Sequence, residues 1–193
     1  MPRTPRILLA GLLIVALFQS AALAKMVYDR VSLLKTGKEV TLALAPRDPR
    51  DFFRGYYSDL NYDISRLDLS KLLSATDTTA LRAEPYSCER KIYVGLKQSQ
   101  SGVFEPVSAS LATPAVEPDV VVVRGCVCNA GNITQLWVRY GIESFYLPEE
   151  EAAALDLKER DVLRMVAAVG PDGEMAIKRL LVNGQPAYEE LPF

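Results

Sequence analysis

Four carboxylates crowd one short stretch of the chain: Asp48, Asp51, Asp59 and Asp63. Gathered in space, they would offer oxygen ligands to a hard cation such as calcium. Their spacing fits no calcium loop, however, and Asp48 and Asp51 also suit turn and cap positions, so no metal site is expected. The same stretch holds Phe52, Phe53, Tyr56, Tyr57 and Tyr62. Tyrosine joins a large apolar ring to a polar tip, which suits docking of a partner or a sugar. The competing reading is structural: alternate residues fill a core while Tyr57 caps an edge. Arg54-Gly55 points the same way, because a glycine here implies a backbone shape that a side chain would block.

Cys88, Cys126 and Cys128 are an odd set of three. In an exported domain they tend to oxidise. Cys126 and Cys128 point to one side of a strand and are badly placed to bond each other. Pairing of Cys88 with one of them is the expectation there; in a reducing compartment all three would be small core residues. Capture of copper(I) by Cys126 and Cys128 is a chemical alternative. Arg139 and Glu143 share the parity of Gly141 on a predicted strand, where an ion pair is expected and a binding role for Arg139 is the sharper option.

The chain of 193 residues has no histidine. That removes the commonest general base and metal ligand, and with it Ser-His-Asp and Cys-His catalysis. Three thiols without histidine leave a zinc site incomplete. No serine stands out at a lysine's reach for Ser–Lys chemistry. Net charge is −2 with no block of like charge, so the chain is poorly equipped to neutralise phosphates, and no nucleic-acid partner is expected. No cofactor is implied.

The elements that would hold these residues begin with a membrane-directed segment. Arg3 and Arg6 precede an apolar run from Ile7 to Ala24. As a helix it would extend about 27 Å, close to the hydrocarbon thickness of a bilayer. Ala22-Leu23-Ala24 before Lys25 fits a cleavable signal. Retained, the helix would place Met26, Val27 and Tyr28 at the interface with Lys25 snorkelling. Lys25, Arg30, Lys35 and Lys38 outnumber the preceding arginines, against the usual bias, yet the short signal-like start favours export of the remaining chain. Residues 1–28 thus read as a signal or anchor helix and residues 29–193 as the exported domain.

Beyond it, Val40, Leu42 and Leu44 alternate as in a half-buried strand. Asp48-Pro49-Arg50-Asp51 reads as a turn, and Tyr56–Ile64 as the next strand. Leu67–Thr79 suggests a turn of helix. Ile92–Leu96 and Val103–Val107 form a hairpin pattern around Gln98–Gly102. Asp119–Cys128 is a buried strand, Asn129–Asn132 a turn, and Ile133–Tyr146 a long partner strand. Pro148 with Glu149, Glu150 and Glu151 suits a short helix start. Val162–Val169 and Met175–Val182 flank Pro171-Asp172-Gly173, and Asn183-Gly184 marks a further turn. The fold class is mostly β, antiparallel hairpins forming a partly open barrel or sandwich with one or two short helices.

The segment Pro46 to Tyr62 resembles the signature of the GDYXXLXY family, membrane-anchored bacterial proteins without an established activity. Gly55, Tyr57, Leu60 and Tyr62 match its fixed positions, and Asp48-Pro49-Arg50-Asp51 with Arg54 matches its lead-in. Tyr140-Gly141-Ile142-Glu143 through Tyr146-Leu147-Pro148-Glu149 resembles a later family stretch, and Ile177–Gly184 is similar as well. Tyr56 stands where the motif has aspartate, so whatever that carboxylate does in relatives is not available from this position. The resemblance implies an uncleaved helix.

Two functional classes fit these residues. One is a non-enzymatic accessory or interaction domain on the periplasmic side of the inner membrane, anchored by one helix and working with an integral membrane partner. The other is an exported small-ligand-binding protein or hydrolase relying on carboxylates and tyrosines, which would need a deep pocket holding groups such as Asp59 or Glu143.

Overall fold

The alternation of apolar residues along the chain beyond its N-terminal helix leaves two sheet faces that need covering, and they cover each other. The computed structural model describes residues 4–44, 57–83, 90–115, 117–132, 135–146 and 162–190. The element order is α1 (Thr4–Thr36), β1 (Lys38–Ala43), β2 (Tyr57–Asp59), a 3-10 turn (Asp63–Ser65), β3 (Arg66–Asp68), α2 (Leu69–Leu72), α3 (Ala75–Ala83), β4 (Lys91–Gln98), β5 (Phe104–Ser110), β6 (Val120–Asn132), β7 (Gln135–Arg139), β8 (Ser144–Tyr146), β9 (Leu163–Val169), β10 (Met175–Val182) and β11 (Gln185–Glu189). Among the described residues the strands form a four-stranded sheet in the order β1-β9-β10-β11, a five-stranded sheet in the order β3-β7-β6-β4-β5, and a ribbon of β2 and β8. Every described pairing is antiparallel. No closed barrel forms among them; the arrangement is a partly open sandwich.

The core lies between the two larger sheets. Val40 and Leu42 of β1, Met165 and Ala167 of β9, Ile92, Val94 and Leu96 of β4, and Val123 of β6 have no exposed surface. They belong to one hydrophobic cluster with Leu67, Leu136 and Val138. Strand β9 is buried on both faces, since Ala168 is as inaccessible as its neighbours. The reason is α1. Leu34 in its last turn is buried, and a side chain at Gly37 would stand 3.0 Å from the Ala168 Cβ and 2.6 Å from the Leu33 carbonyl oxygen. Glycine at that position lets the helix end lie directly on the sheet.

A second glycine joins the sheets. In the β9–β10 turn, Gly173 has φ of 80° and its carbonyl accepts the Arg124 N–H of β6 at 2.7 Å. A Cβ on Gly173 would stand 2.9 Å from the Arg124 nitrogen and 3.2 Å from the Val122 oxygen. Arg124 also pairs with Asp172 at 3.2 Å. The tip of one sheet's hairpin is therefore seated on the central strand of the other. Across the four-stranded sheet, Glu39 of β1 meets both Lys178, at 2.8 Å, and Arg179 of β10. The Lys178 hydrogen bond chiefly holds the Glu39 carboxyl below its ordinary range.

Three local expectations change. Residues 129–132 do not turn but continue β6, with bulges at 127–129 and 129–132 absorbing the register mismatch with β7. The anticipated long strand over 133–146 is two strands in different sheets, β7 and β8. Leu67–Thr79 holds the end of β3 and then two helices rather than one helical turn. The helix proposed after Pro148 lies outside the described residues.

Gly173 and Gly184 both have positive φ, but only Gly173 is crowded; nothing lies within 4 Å of a Cβ on Gly184. Gly184→Ala should cost about 1–2 kcal/mol for the left-handed backbone alone. Gly173→Ala should cost clearly more in chemical denaturation, because the hairpin tip must also lift from Arg124. Equal costs would show that the tip does not tie the sheets together.

Candidate functional site

The two stretches that carry the family resemblance are about eighty residues apart in sequence and meet in the core. After β7 the chain leaves the five-stranded sheet at a corner formed by residues 140–143. Gly141 has φ of 81°, with nothing within 4 Å of a Cβ there, so its role is the backbone turn itself. Glu143 folds back to hold that corner. One carboxylate oxygen accepts the Tyr140 N–H at 2.5 Å and the other accepts the Gly141 N–H at 3.0 Å. The expected ion pair between Glu143 and Arg139 is therefore not what the strand break produces: Glu143 is 7% exposed and engaged with main chain, while Arg139 points outward.

The corner is clasped to the first motif by reciprocal tyrosines. The Tyr62 hydroxyl donates to the Ile142 carbonyl at 2.7 Å, and the Tyr140 hydroxyl donates to the Ile64 carbonyl at 2.8 Å. Each ring thus reaches across to the other segment's backbone. Between them, the Leu60 N–H donates to the Glu143 carbonyl at 2.6 Å, which continues the β2–β8 pairing of Tyr57 with Tyr146 and Asp59 with Ser144. Tyr62 is fully buried, Tyr140 nearly so, and Leu60 packs half-buried against the core. Gly125 of β6 provides the floor for Tyr140: a Cβ there would stand 3.1 Å from the ring and 2.3 Å from Val138. Tyr62 also bridges to Leu44, so the clasp reaches the strand after α1.

Burial, and secondarily the Glu143 charge, pushes both tyrosine hydroxyls well above their ordinary range. Held protonated, donating to carbonyls and sealed from solvent, they serve as hydrogen-bond struts, not as acids or bases. Nearby, the Ser65 hydroxyl is buried with no hydrogen-bond partner among the described residues.

The remaining sequence candidates fall elsewhere. Asp48, Pro49, Arg50, Asp51, Arg54, Gly55, Tyr56, Pro148, Glu149 and Cys88 lie outside the described residues. Tyr57 is described only as a member of β2. The strand expected over Tyr56–Ile64 is shorter, ending at Asp59 before the 3-10 turn. Cys126 and Cys128 do share a side of β6, half-buried on the face away from the core, with Cys128 the inserted residue of a bulge. Among the described residues no cluster of three or more His, Cys, Asp or Glu gathers to hold a metal. Sequence reading missed Gly125; no local pattern marks a glycine as the floor beneath a ring fifteen positions away, just past the end of another strand.

These features define a class: an antiparallel β sandwich cinched by a buried tyrosine clasp and led by one long apolar helix. The chain matches the family model described as GDYXXLXY protein over residues 19–180, and it belongs to that family. No curated protein and no solved structure matches it.

The clasp makes two predictions. Tyr62→Phe or Tyr140→Phe leaves a buried carbonyl unpaired and should cost about 1–3 kcal/mol in denaturant titration, whereas Ser65→Ala should be neutral or stabilising because it removes an unpaired hydroxyl. The second concerns alkali. The folded-state tyrosine values are raised, so their stabilisation is complete below the ordinary tyrosine value near pH 10 and is lost as pH rises toward the folded values, by about 1.4 kcal/mol per pH unit for each group. Either phenylalanine variant should flatten the fall in stability above pH 10 by about one proton; an unchanged slope would contradict the burial of that hydroxyl.

Proposed function

We propose that this protein is an accessory domain held by α1 on the periplasmic side of the inner membrane, where it works with an integral membrane partner instead of carrying out a reaction itself. The observation that carries this reading is the commitment to architecture of three chemically capable residues among those described. Tyr62, Tyr140 and Glu143 spend their polar atoms on backbone groups. A hydrolase built on carboxylates and tyrosines would need some of these groups free and facing a cleft.

The helix supports the other half. It is the one described helix long and apolar enough to cross a membrane. Its apolar side chains are exposed around the whole circumference, with Leu12 at 70% and Phe18 at 76%. A helix that is apolar all round and unburied by its own domain is matched to lipid or to other membrane helices. Its 33 residues extend about 50 Å, longer than the hydrocarbon core, so an unbroken helix would leave the bilayer and dock on β9 without a flexible linker. A cleft of about 940 Å³ lies between the emerging part of the helix, including Met26, Tyr28 and Arg30, and the β9–β10 turn.

The test is purification of the tagged full-length chain from gently solubilised membranes, with intact mass and co-purifying proteins identified. Full-length mass and one stoichiometric membrane protein are expected. A mass lacking residues 1–24 with no partner would overturn the anchored accessory reading. Labelling of an engineered surface cysteine in intact cells by an impermeant reagent checks the orientation; protection from that reagent would place the domain in the cytoplasm.

A further inference from the structure

The outer face of the five-stranded sheet carries a groove of about 450 Å³ that borders the clasp, sharing Gly125, Tyr140, Gly141 and Glu143 with it. Its centre is Cys126. In register, Cys126 stands opposite Lys91 on β4 and opposite Arg139 on β7, so a cation flanks it on either side. Arg124, two residues along β6, lines the groove from the same face. Neighbouring strands lie about 5 Å apart, which lets the two outer side chains converge above the sulfur.

Among the described residues, five charged side chains line this space. Lys91 and Arg139 are exposed and have no ion-pair partner among the described residues. Arg124 is shared with Asp172. Of the two carboxylates on the rim, Glu143 has both oxygens turned to backbone N–H groups, and only the exposed Glu174 is uncommitted. The centre of the groove is therefore cationic, with donors on opposite walls. We propose that it binds a small doubly charged oxyanion, a phosphate or a dicarboxylate, with Lys91 and Arg139 closing on it over Cys126. Arginine and lysine on facing walls give charge-assisted hydrogen bonds to two oxygens of one ligand. A soluble source is favoured over a lipid headgroup because Cys126 lies six residues, about 20 Å of extended strand, beyond Val120 at the helix-side cleft.

The protein carries its own reporters. Trp137 is its one tryptophan. It faces the same side as Arg139, two residues away on β7, with Arg66 stacked 4.6 Å from its ring centre. The experiment titrates full-length protein in neutral detergent with inorganic phosphate and separately with succinate, at ionic strength held constant with chloride. Trp137 fluorescence is followed, together with iodoacetamide labelling of Cys126 resolved by peptide mass. A saturable fluorescence change is expected, with labelling slowed about fivefold or more and both effects lost in the Lys91→Gln, Arg139→Gln double variant. Arg66→Gln, outside the groove, should keep both effects. No response to either anion, or a response that survives in the double variant, would overturn the proposal. A response seen only with vesicles containing an anionic phospholipid would overturn the soluble ligand in favour of a headgroup.

Discussion

Two buried tyrosine hydroxyls, each donating to the main chain of the other's segment, set the rest of this structure. Tyr62 and Tyr140 fix where the β2–β8 ribbon lies against the five-stranded sheet, and Glu143 fixes the corner from which Tyr140 and Ile142 are presented. A hydroxyl or carboxylate taken from water without partners is costly, and these three are buried with full engagement. Such a network is cooperative: losing one strut exposes a carbonyl and frees the ring above Gly125. This gives a physical reason for two tyrosines, a glycine and a glutamate at these spacings, with no appeal to catalysis.

The clasp also links distant parts of the chain. Tyr62 bridges to Leu44, and β1 pairs with β9, whose outer face receives the end of α1 through Gly37. The β9–β10 turn then returns to β6 through Gly173. A mechanical path therefore runs from the apolar helix through the four-stranded sheet to the five-stranded sheet and back to the clasp. Rigidity of this kind suits the anchored accessory role proposed above. The groove around Cys126 sits on that rigid sheet, on the face away from the shared core.

Much of the fold could be read from the chain. Alternation at Val40, Leu42 and Leu44, the hairpin around Gln98–Gly102, and the Pro171-Asp172-Gly173 and Asn183-Gly184 turns all appear where local chemistry places them. Local chemistry misled at Asn129–Asn132, where turn-forming residues are absorbed into bulges because β7 supplies pairing partners. It misled again at residues 133–146, where continuous strand propensity conceals a change of sheet at Gly141. Glu143 was legible as a candidate and wrong in its role, since parity along an assumed straight strand points its carboxylate at Arg139. Parity served better at Cys126 and Cys128, but nothing local announces that Lys91 stands beside Cys126; that comes from register between strands about thirty-five residues apart.

Amide hydrogen exchange at Leu60, Tyr140 and Gly141 tests the central claim most directly, because all three N–H groups donate to Glu143. If the clasp is architecture, these amides exchange only through global unfolding, with protection equal to that of the core strands β4 and β9. Protection well below that of the core, lost by local opening under native conditions, would mean that the corner is a mobile element and that its tyrosines and glutamate are available for other work.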